Sequence, residues 1–280
     1  MSGRDLQLSS STTTSSDRSE GATNADAVDE SDDAGSNFVA HRRQLSLRKW
    51  AAKDSTNSLI QKEFPFTFSP NVQLLSVSDL DSVVALENAA FQNPEYRASA
   101  EKLEYRLATC PELSLGIFCT VYPGKIDKWE IETLATAQPV ETGREDGAVR
   151  VLLAHIVSTR AYGDVVADED MDYPKDWRNL RGKSVAVGNQ DFGRTVALHS
   201  LAVSPKMQGY GLGTMIIKSY LERINNTGAA DRVALLCQDY LVGYYERIGF
   251  QHKGESKATF GGGGWHNMVI ELPGQSKAPF

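Results

Sequence analysis

Cysteine is scarce in this chain. There are three in 280 residues, an odd number that does not read as a disulfide framework. Cys119 and Cys237 sit inside apolar strand-like runs and Cys110 closes a helical one, so all three read as buried thiols and no metal site is expected of them. A reducing interior, most simply the cytoplasm, is the expected compartment. No apolar run is long enough to span a bilayer, so no membrane partner is expected, and the N-terminus lacks the apolar core of a signal peptide. Positive charge is short as well: 29 Lys and Arg against 36 Asp and Glu leave a net charge of −7, which argues against a nucleic-acid partner. Apolar residues are nearly missing from Ser9–Ser16 and Asp26–Asp33. Such a stretch cannot bury enough surface to offset its chain entropy, so residues 1–63 are expected to form a disordered tail. Residues 64–280 then make one domain of ordinary size.

What is present is ordered punctuation. Asn71–Val77 alternates as a strand, and Ser78–Phe91 reads as a helix with Ser78 as N-cap and Leu80, Val83, Val84, Leu86 and Ala90 on one face. A second helix starts near Ser99 and ends at Pro111. Leu113–Tyr122 and Val149–Thr159 are strands on either side of a polar insertion at 123–148, and a second insertion spans 163–193. Thr195–Val203 is an apolar central strand, Tyr210–Asn225 the main helix, Arg232–Gln238 a buried strand, Leu241–Ile248 a short helix, and Phe250–Glu255 with His266–Leu272 a closing strand pair. The class is α/β or α+β with one mixed sheet.

Between the central strand and the main helix lies Gln208-Gly209-Tyr210-Gly211-Leu212-Gly213-Thr214. Glycines there leave backbone N–H groups unshielded, and the first helical turn carries about half a positive charge. Together they form a seat for phosphates. The order strand, Gln-x-x-Gly-x-Gly, helix resembles the acyl-CoA loop of the GCN5-related N-acetyltransferases. Three further blocks, Cys110–Gly116, Leu198–Val203 and Leu241–Phe250, resemble in the same order the arylalkylamine (serotonin) N-acetyltransferase family, in a non-vertebrate, fungal-like form, over most of residues 71–273.

The resemblance implies a GNAT fold: one mixed, mostly antiparallel sheet, splayed at the central strand and flanked by helices. It implies acetyl-CoA as cosubstrate, with main-chain groups of Leu201, Ala202 and Val203 on the acetyl carbonyl and pantetheine, and Gln208, Gly209, Tyr210, Gly211, Leu212, Gly213 and Thr214 around the pyrophosphate. It implies direct transfer of the acetyl group to a small arylalkylamine of the serotonin, tryptamine or phenethylamine type. By position Tyr245 corresponds to the family's general acid and His199 to one of two catalytic histidines; the other position is Ala197 here, so a two-histidine relay does not carry over.

The chemistry sets its own requirements. An alkyl amine with a pKa of about 10.4 is neutral in roughly one molecule in a thousand or fewer at pH 7. A base removes the proton in the site, or the site selects the neutral form. His199 is suited to the first role. His155, on the preceding strand, and Glu95, in the loop after the first helix, are the substitutes, since a desolvated carboxylate is also a base. The phenol of Tyr245 can protonate a departing thiolate, and its neighbour Tyr244 reads as the packing aromatic. Two other functions stay open: polyamine (spermidine or spermine) acetylation, which needs spaced carboxylates, and a non-catalytic acyl-CoA-binding module. In the tail, Arg42-Arg43-Gln44-Leu45-Ser46 is a basic-directed phosphorylation site that could recruit a phospho-dependent partner, although an unregulated tail is the simpler expectation.

Overall fold

The structure is a computed structural model that describes residues 67–126, 130–140, 147–180 and 185–273. The tail assigned to 1–63, with Ser46, lies outside the described residues, as do parts of both insertions.

The strands are β1 (Asn71–Leu74), β2 (Leu115–Val121), β3 (Gln138–Pro139), β4 (Val149–Ala161), β5 (Thr195–Val203), β6 (Arg232–Cys237), β7 (Gln251–Glu255) and β8 (His266–Glu271). They form one eight-stranded sheet in the order β1-β2-β4-β5-β6-β8-β7, with β3 on β4. Every pairing is antiparallel except β5 with β6. The helices are α1 (Leu80–Ala90), α2 (Ala100–Thr109), α3 (Asp168–Met171), α4 (Leu212–Thr227) and α5 (Val242–Ile248). The parallel pair follows from α4, whose 16 residues carry the chain back along the sheet before β6 begins.

The helical periodicities decide which face each helix covers. Val83 and Leu86 of α1 and Leu103 and Leu107 of α2 pack with Phe118, Leu152, Val157 and Ala202 on one side of the sheet. Ile216, Ile217, Tyr220 and Ile224 of α4 and Tyr245 of α5 pack with Val196, Leu198, Val233 and Leu235 on the other. Each such aliphatic side chain contributes about 1.5–3 kcal/mol when fully removed from water. Ser99 caps α2 as expected, accepting from the Lys102 N–H at 3.2 Å. The start of α1 differs from the sequence reading. Asp79, not Ser78, organises it: its carboxylate accepts from the Ser76 N–H at 3.0 Å and from Arg150 at 2.6 Å. This closes a 3-10 turn over Val77–Asp79, so β1 stops at Leu74 and α1 begins at Leu80.

Two irregularities in the middle of the sheet shape the site. The parallel ladder between β5 and β6 runs only from Thr195↔Arg232 to Leu198↔Leu235, while β5 continues to Val203 and β6 to Cys237. Beyond Leu198 the two strands part. At that same point the β4–β5 register slips: Val157 faces Ser200 and Ser158 faces Leu198, leaving His199 as an extra residue on β5. The bulge shifts the alternation by one. Val196 and Leu198 face the α4 side, and after the bulge Leu201 and Val203 do so too.

The described parts of both insertions pack near the gap. Ile126 and Ile131 of the first pack against Met207 and Leu212, beneath the loop that opens α4. The second packs on α2 through Tyr173 and Trp177, each with its ring centroid under 6 Å from that of Tyr105 (5.8 and 5.7 Å). It brings α3 to the edge of the gap.

Candidate active site

The parting of β5 and β6 opens a cleft of about 590 Å³. One end is lined by Leu201, Val203, Gln208, Gly209 and Gly211–Thr214. Gly209 and Gly211 both have φ of +84°, and a Cβ on either would have nothing within 4 Å. Glycine is required there by backbone conformation, and the space above is open. No side chain caps α4, and the Met215 N–H to Gly211 carbonyl bond at 2.9 Å is the first of the helix. The N–H groups of Leu212, Gly213 and Thr214 thus reach the cleft without an intrahelical acceptor, at the positive end of a four-turn dipole. Of the remaining residues expected here, Ala202 packs in the core on the α1 side and Tyr210 packs against the cluster around Met207.

The other end is aromatic. Phe91 and Tyr96 come from the loop after α1, Met171 from α3, and Phe260 and Trp265 from the β7–β8 connection. Tyr96 meets Trp265 edge-on at 5.0 Å, and the Trp265 indole N–H donates to the Phe260 carbonyl at 2.6 Å. Arg97 ties the α1 loop by donating to the carbonyls of Phe91 at 2.6 Å and Gln92 at 3.1 Å. No Asp, Glu, Lys or Arg lines the cleft among the described residues.

Between the two ends stand His199 and Tyr245. His199 Nε2 lies 2.7 Å from Thr159 Oγ1 and Nδ1 lies 3.3 Å from Met171 Sδ. Burial, followed by the charges of Arg106 and Lys102, holds its pKa well below the usual histidine value, so the ring is neutral at pH 7. Arg106 is 2 % exposed and donates to the Met171 carbonyl at 3.0 Å; burial lowers it to about 10. Lys102 falls to about 8, through burial and then Arg106. Tyr245 is buried, with Tyr244 at 5.1 Å and Phe250 at 5.5 Å, and its hydroxyl is pushed well above the ordinary phenol range by burial first and by Tyr244 second. Tyr245 faces the sheet core and Tyr244 packs only at its margin, the reverse of the packing expected for that pair. Cys237 also lines the cleft, but burial holds its thiol at about 11, too high to supply a thiolate nucleophile.

His155 and Glu95 do not join them. His155 is wholly buried, opposite Ala202 on the α1 side, with Nε2 3.1 Å from Glu87 Oε2 and 3.0 Å from Ser200 Oγ. Glu95 is exposed on a 3-10 turn, Pro94–Tyr96, whose last residue is the one that enters the cleft.

Residues 141–272 match the family model for the acetyltransferase (GNAT) domain. The chain carries a GNAT acetyltransferase domain. It is similar to serotonin N-acetyltransferase of Mesocricetus auratus, 28% identical over 192 residues, which are 67% of this chain and 70% of that protein. It is 36% identical over 69 residues to serotonin N-acetyltransferase of Homo sapiens, a match covering 25% of this chain and 33% of that one. Among solved structures, the GphF GNAT-like decarboxylase in complex with isobutyryl-CoA superposes with a TM-score of 0.47 at 16% identity, over 72% of this chain and 99% of that one. No helix among the described residues is long and apolar enough to cross a membrane.

The aromatic end of the GNAT domain's cleft went unread in the sequence. Phe91, Tyr96, Met171, Phe260 and Trp265 share no spacing, and the one local signal was Gly261–Gly264 set between two aromatics. Glu87 and Ser200 were also missed. Each sits within one helical turn or one residue of a cleft residue, yet each turns away into the core.

Proposed function

We propose that this protein transfers an acetyl group from acetyl-CoA to the primary amine of a small arylalkylamine. The observation that carries the reading is the aromatic end of the cleft, with five apolar or aromatic walls and no carboxylate among its described lining residues. An arylalkylamine needs a flat apolar slot. A polyamine, with several cationic nitrogens, needs carboxylates along its path, and none lines this cleft among the described residues.

Acetyl-CoA would supply the acetyl group as a thioester. The bare N–H groups opening α4 suit its diphosphate, and the β5 edge from His199 to Val203, released from β6, offers main-chain donors for the pantetheine arm and acetyl carbonyl. The apolar lining disfavours an ammonium and admits the neutral amine. His199, deprotonated at working pH and fixed by Thr159, accepts the nitrogen proton as the new bond forms. Tyr245, protonated throughout that range, donates to the departing sulfur. One proton leaves nitrogen and one reaches sulfur, so no covalent enzyme intermediate is needed.

The test is CoA thiol release with a panel of serotonin, tryptamine, phenethylamine, spermidine, spermine and a lysine peptide. Turnover of the aromatic amines is expected to exceed that of spermidine by at least tenfold. Preference for spermidine would overturn the substrate class, and acetyl-CoA binding without turnover of any amine would leave only a binding module.

The low pKa of His199 carries a pH signature. A histidine lowered far below 6.5 is already neutral at pH 6, so the amine's own ionisation governs the acidic limb. For phenethylamine, log kcat/KM should climb with unit slope from pH 6 to pH 9 and show no break near 6.5. A break there that disappears in His199→Ala would mean that His199 titrates in the ordinary range.

A further inference from the structure

The aromatic end of the cleft includes a segment with no side chains over four residues. Between β7 and β8, Gly261, Gly262, Gly263 and Gly264 follow one another with φ of 58°, 93°, 80° and 76°. Four glycines in succession have no side chains to pack and the widest conformational choice of any residue. Yet the two residues that bracket them, Phe260 and Trp265, both face the cleft. Two turn hydrogen bonds, from the Gly262 N–H to the Thr259 carbonyl and from the Gly263 N–H to the Phe260 carbonyl (each 3.1 Å), give the segment its local shape, and contacts beyond it fix where that turn sits.

Asp168, the first residue of α3, is placed to do so. Both carboxylate oxygens lie 2.9 Å from the Thr259 N–H; one accepts the Thr259 hydroxyl at 2.7 Å and the other the Phe260 N–H at 3.0 Å. Hydrogen bonds to an ionised acceptor are about twice as strong as neutral ones. The carboxylate is not occupied by its own helix, because it is Asp170 that takes the Ala167 N–H at 2.9 Å. From Phe260 the constraint continues. Its carbonyl receives the Trp265 indole N–H, Trp265 abuts Tyr96, and Lys102 Nζ stands 5.3 Å from the Phe260 ring centroid. The carboxyl of Asp168 is held below its usual range, first by the Thr259 N–H, so the latch is charged at any working pH.

We propose that Asp168 is a positioning residue for amine recognition. It latches the glycine segment so that Phe260 and Trp265 present a fixed aromatic wall, and this sets the preference for aromatic over aliphatic amines. The inference rests on reading the cleft as an amine site. It also gives the second insertion a purpose: α3 brings both Met171 and the latch.

The experiment compares kcat/KM for tryptamine and hexylamine in the full chain, in Asp168→Asn, in Phe260→Ala and in the double variant, together with amide hydrogen exchange of residues 259–271. In Asp168→Asn the tryptamine-to-hexylamine ratio should fall at least fivefold while KM for acetyl-CoA stays within twofold. The Thr259 and Phe260 amides should exchange at least tenfold faster, with β8 amides unchanged. If Asp168 acts through Phe260, the double variant loses less than twofold more selectivity than Phe260→Ala alone. Thr259→Ala, which removes a single hydrogen bond, should shift the ratio in the same direction by less. An unchanged ratio, equal losses for both amines, full additivity or unaltered exchange would each overturn the proposal. A parent protein that acetylates no amine would sink the functional reading instead, and the exchange data would still decide whether the latch exists.

Discussion

Replacement of Tyr245 by phenylalanine is expected to lower kcat for an aromatic amine by about a hundredfold, the lower end of what a positioned proton donor contributes. KM for acetyl-CoA should stay within twofold. The substitution removes one oxygen from a ring that packs between Tyr244 and Phe250, so the helix and its contacts survive. What is lost is a proton. With its pKa raised by burial, the Tyr245 hydroxyl is protonated whenever the enzyme works, and it stands in a cleft where His199 is neutral. Without the phenol the sulfur departs as a thiolate. That cost is smaller at high pH, where solution conditions favour the anion, so the gap between parent and variant should narrow as pH rises toward 9. A kcat within a factor of two of the parent at pH 7 would remove Tyr245 from the chemistry. Steady-state kinetics with acetyl-CoA held saturating is the measurement.

Glu87→Ala is expected to cost about 3–5 kcal/mol of stability, since three hydrogen bonds to one buried carboxylate are lost at once. For a domain of this size that corresponds to a fall in Tm of roughly 6–20 °C. Glu87 is 2 % exposed. Its carboxylate holds His155 at 3.1 Å, takes the Ser200 hydroxyl at 2.6 Å and accepts the Ala98 N–H at 3.1 Å, joining α1, β4, β5 and the end of the Phe91–Ala98 loop. Its removal leaves the Ala98 amide without an acceptor, and leaves His155 and Ser200 only each other in the core. The pH dependence has a definite sign. Burial alone would raise the carboxyl, but the hydrogen bond and charge of His155, then Ser200 and Ala98, outweigh it and the folded pKa is lowered. Stability from Glu87 is therefore complete above the ordinary value of 4.5 and is lost as pH falls below it toward the folded pKa. Glu87→Gln removes that ionisation, so its urea midpoint should change less between pH 6 and pH 3.5 than the parent's. Identical slopes in parent and variant would mean that Glu87 has the same pKa folded and unfolded.

The parts of the site that were legible in the sequence are those written in consecutive residues. Thr195–Val203 alternates with apolar side chains, Gly209 and Gly211 need positive φ, and the residues after Gly211 carry helical periodicity, so strand, glycine loop and helix could be read from one stretch. The start of α1 was misread by two residues, because Asp79 gains a tertiary partner, Arg150, that local capping rules do not include. His155 and His199 looked interchangeable, since each lies in an apolar strand. Only the pairing register, with its slip at His199, turns one into the cleft and the other onto Glu87.

By itself the sequence determined the class of fold and the glycine turn between β5 and α4, because propensity, backbone freedom and side-chain period act over a few neighbouring residues. Tertiary structure alone decided how far β5 follows β6, which histidine meets the cleft, and which rings wall its aromatic end. Those outcomes depend on hydrogen-bond register and on contacts between loops as distant as Phe91, Asp168 and Phe260, and no local pattern carries information about partners that far along the chain.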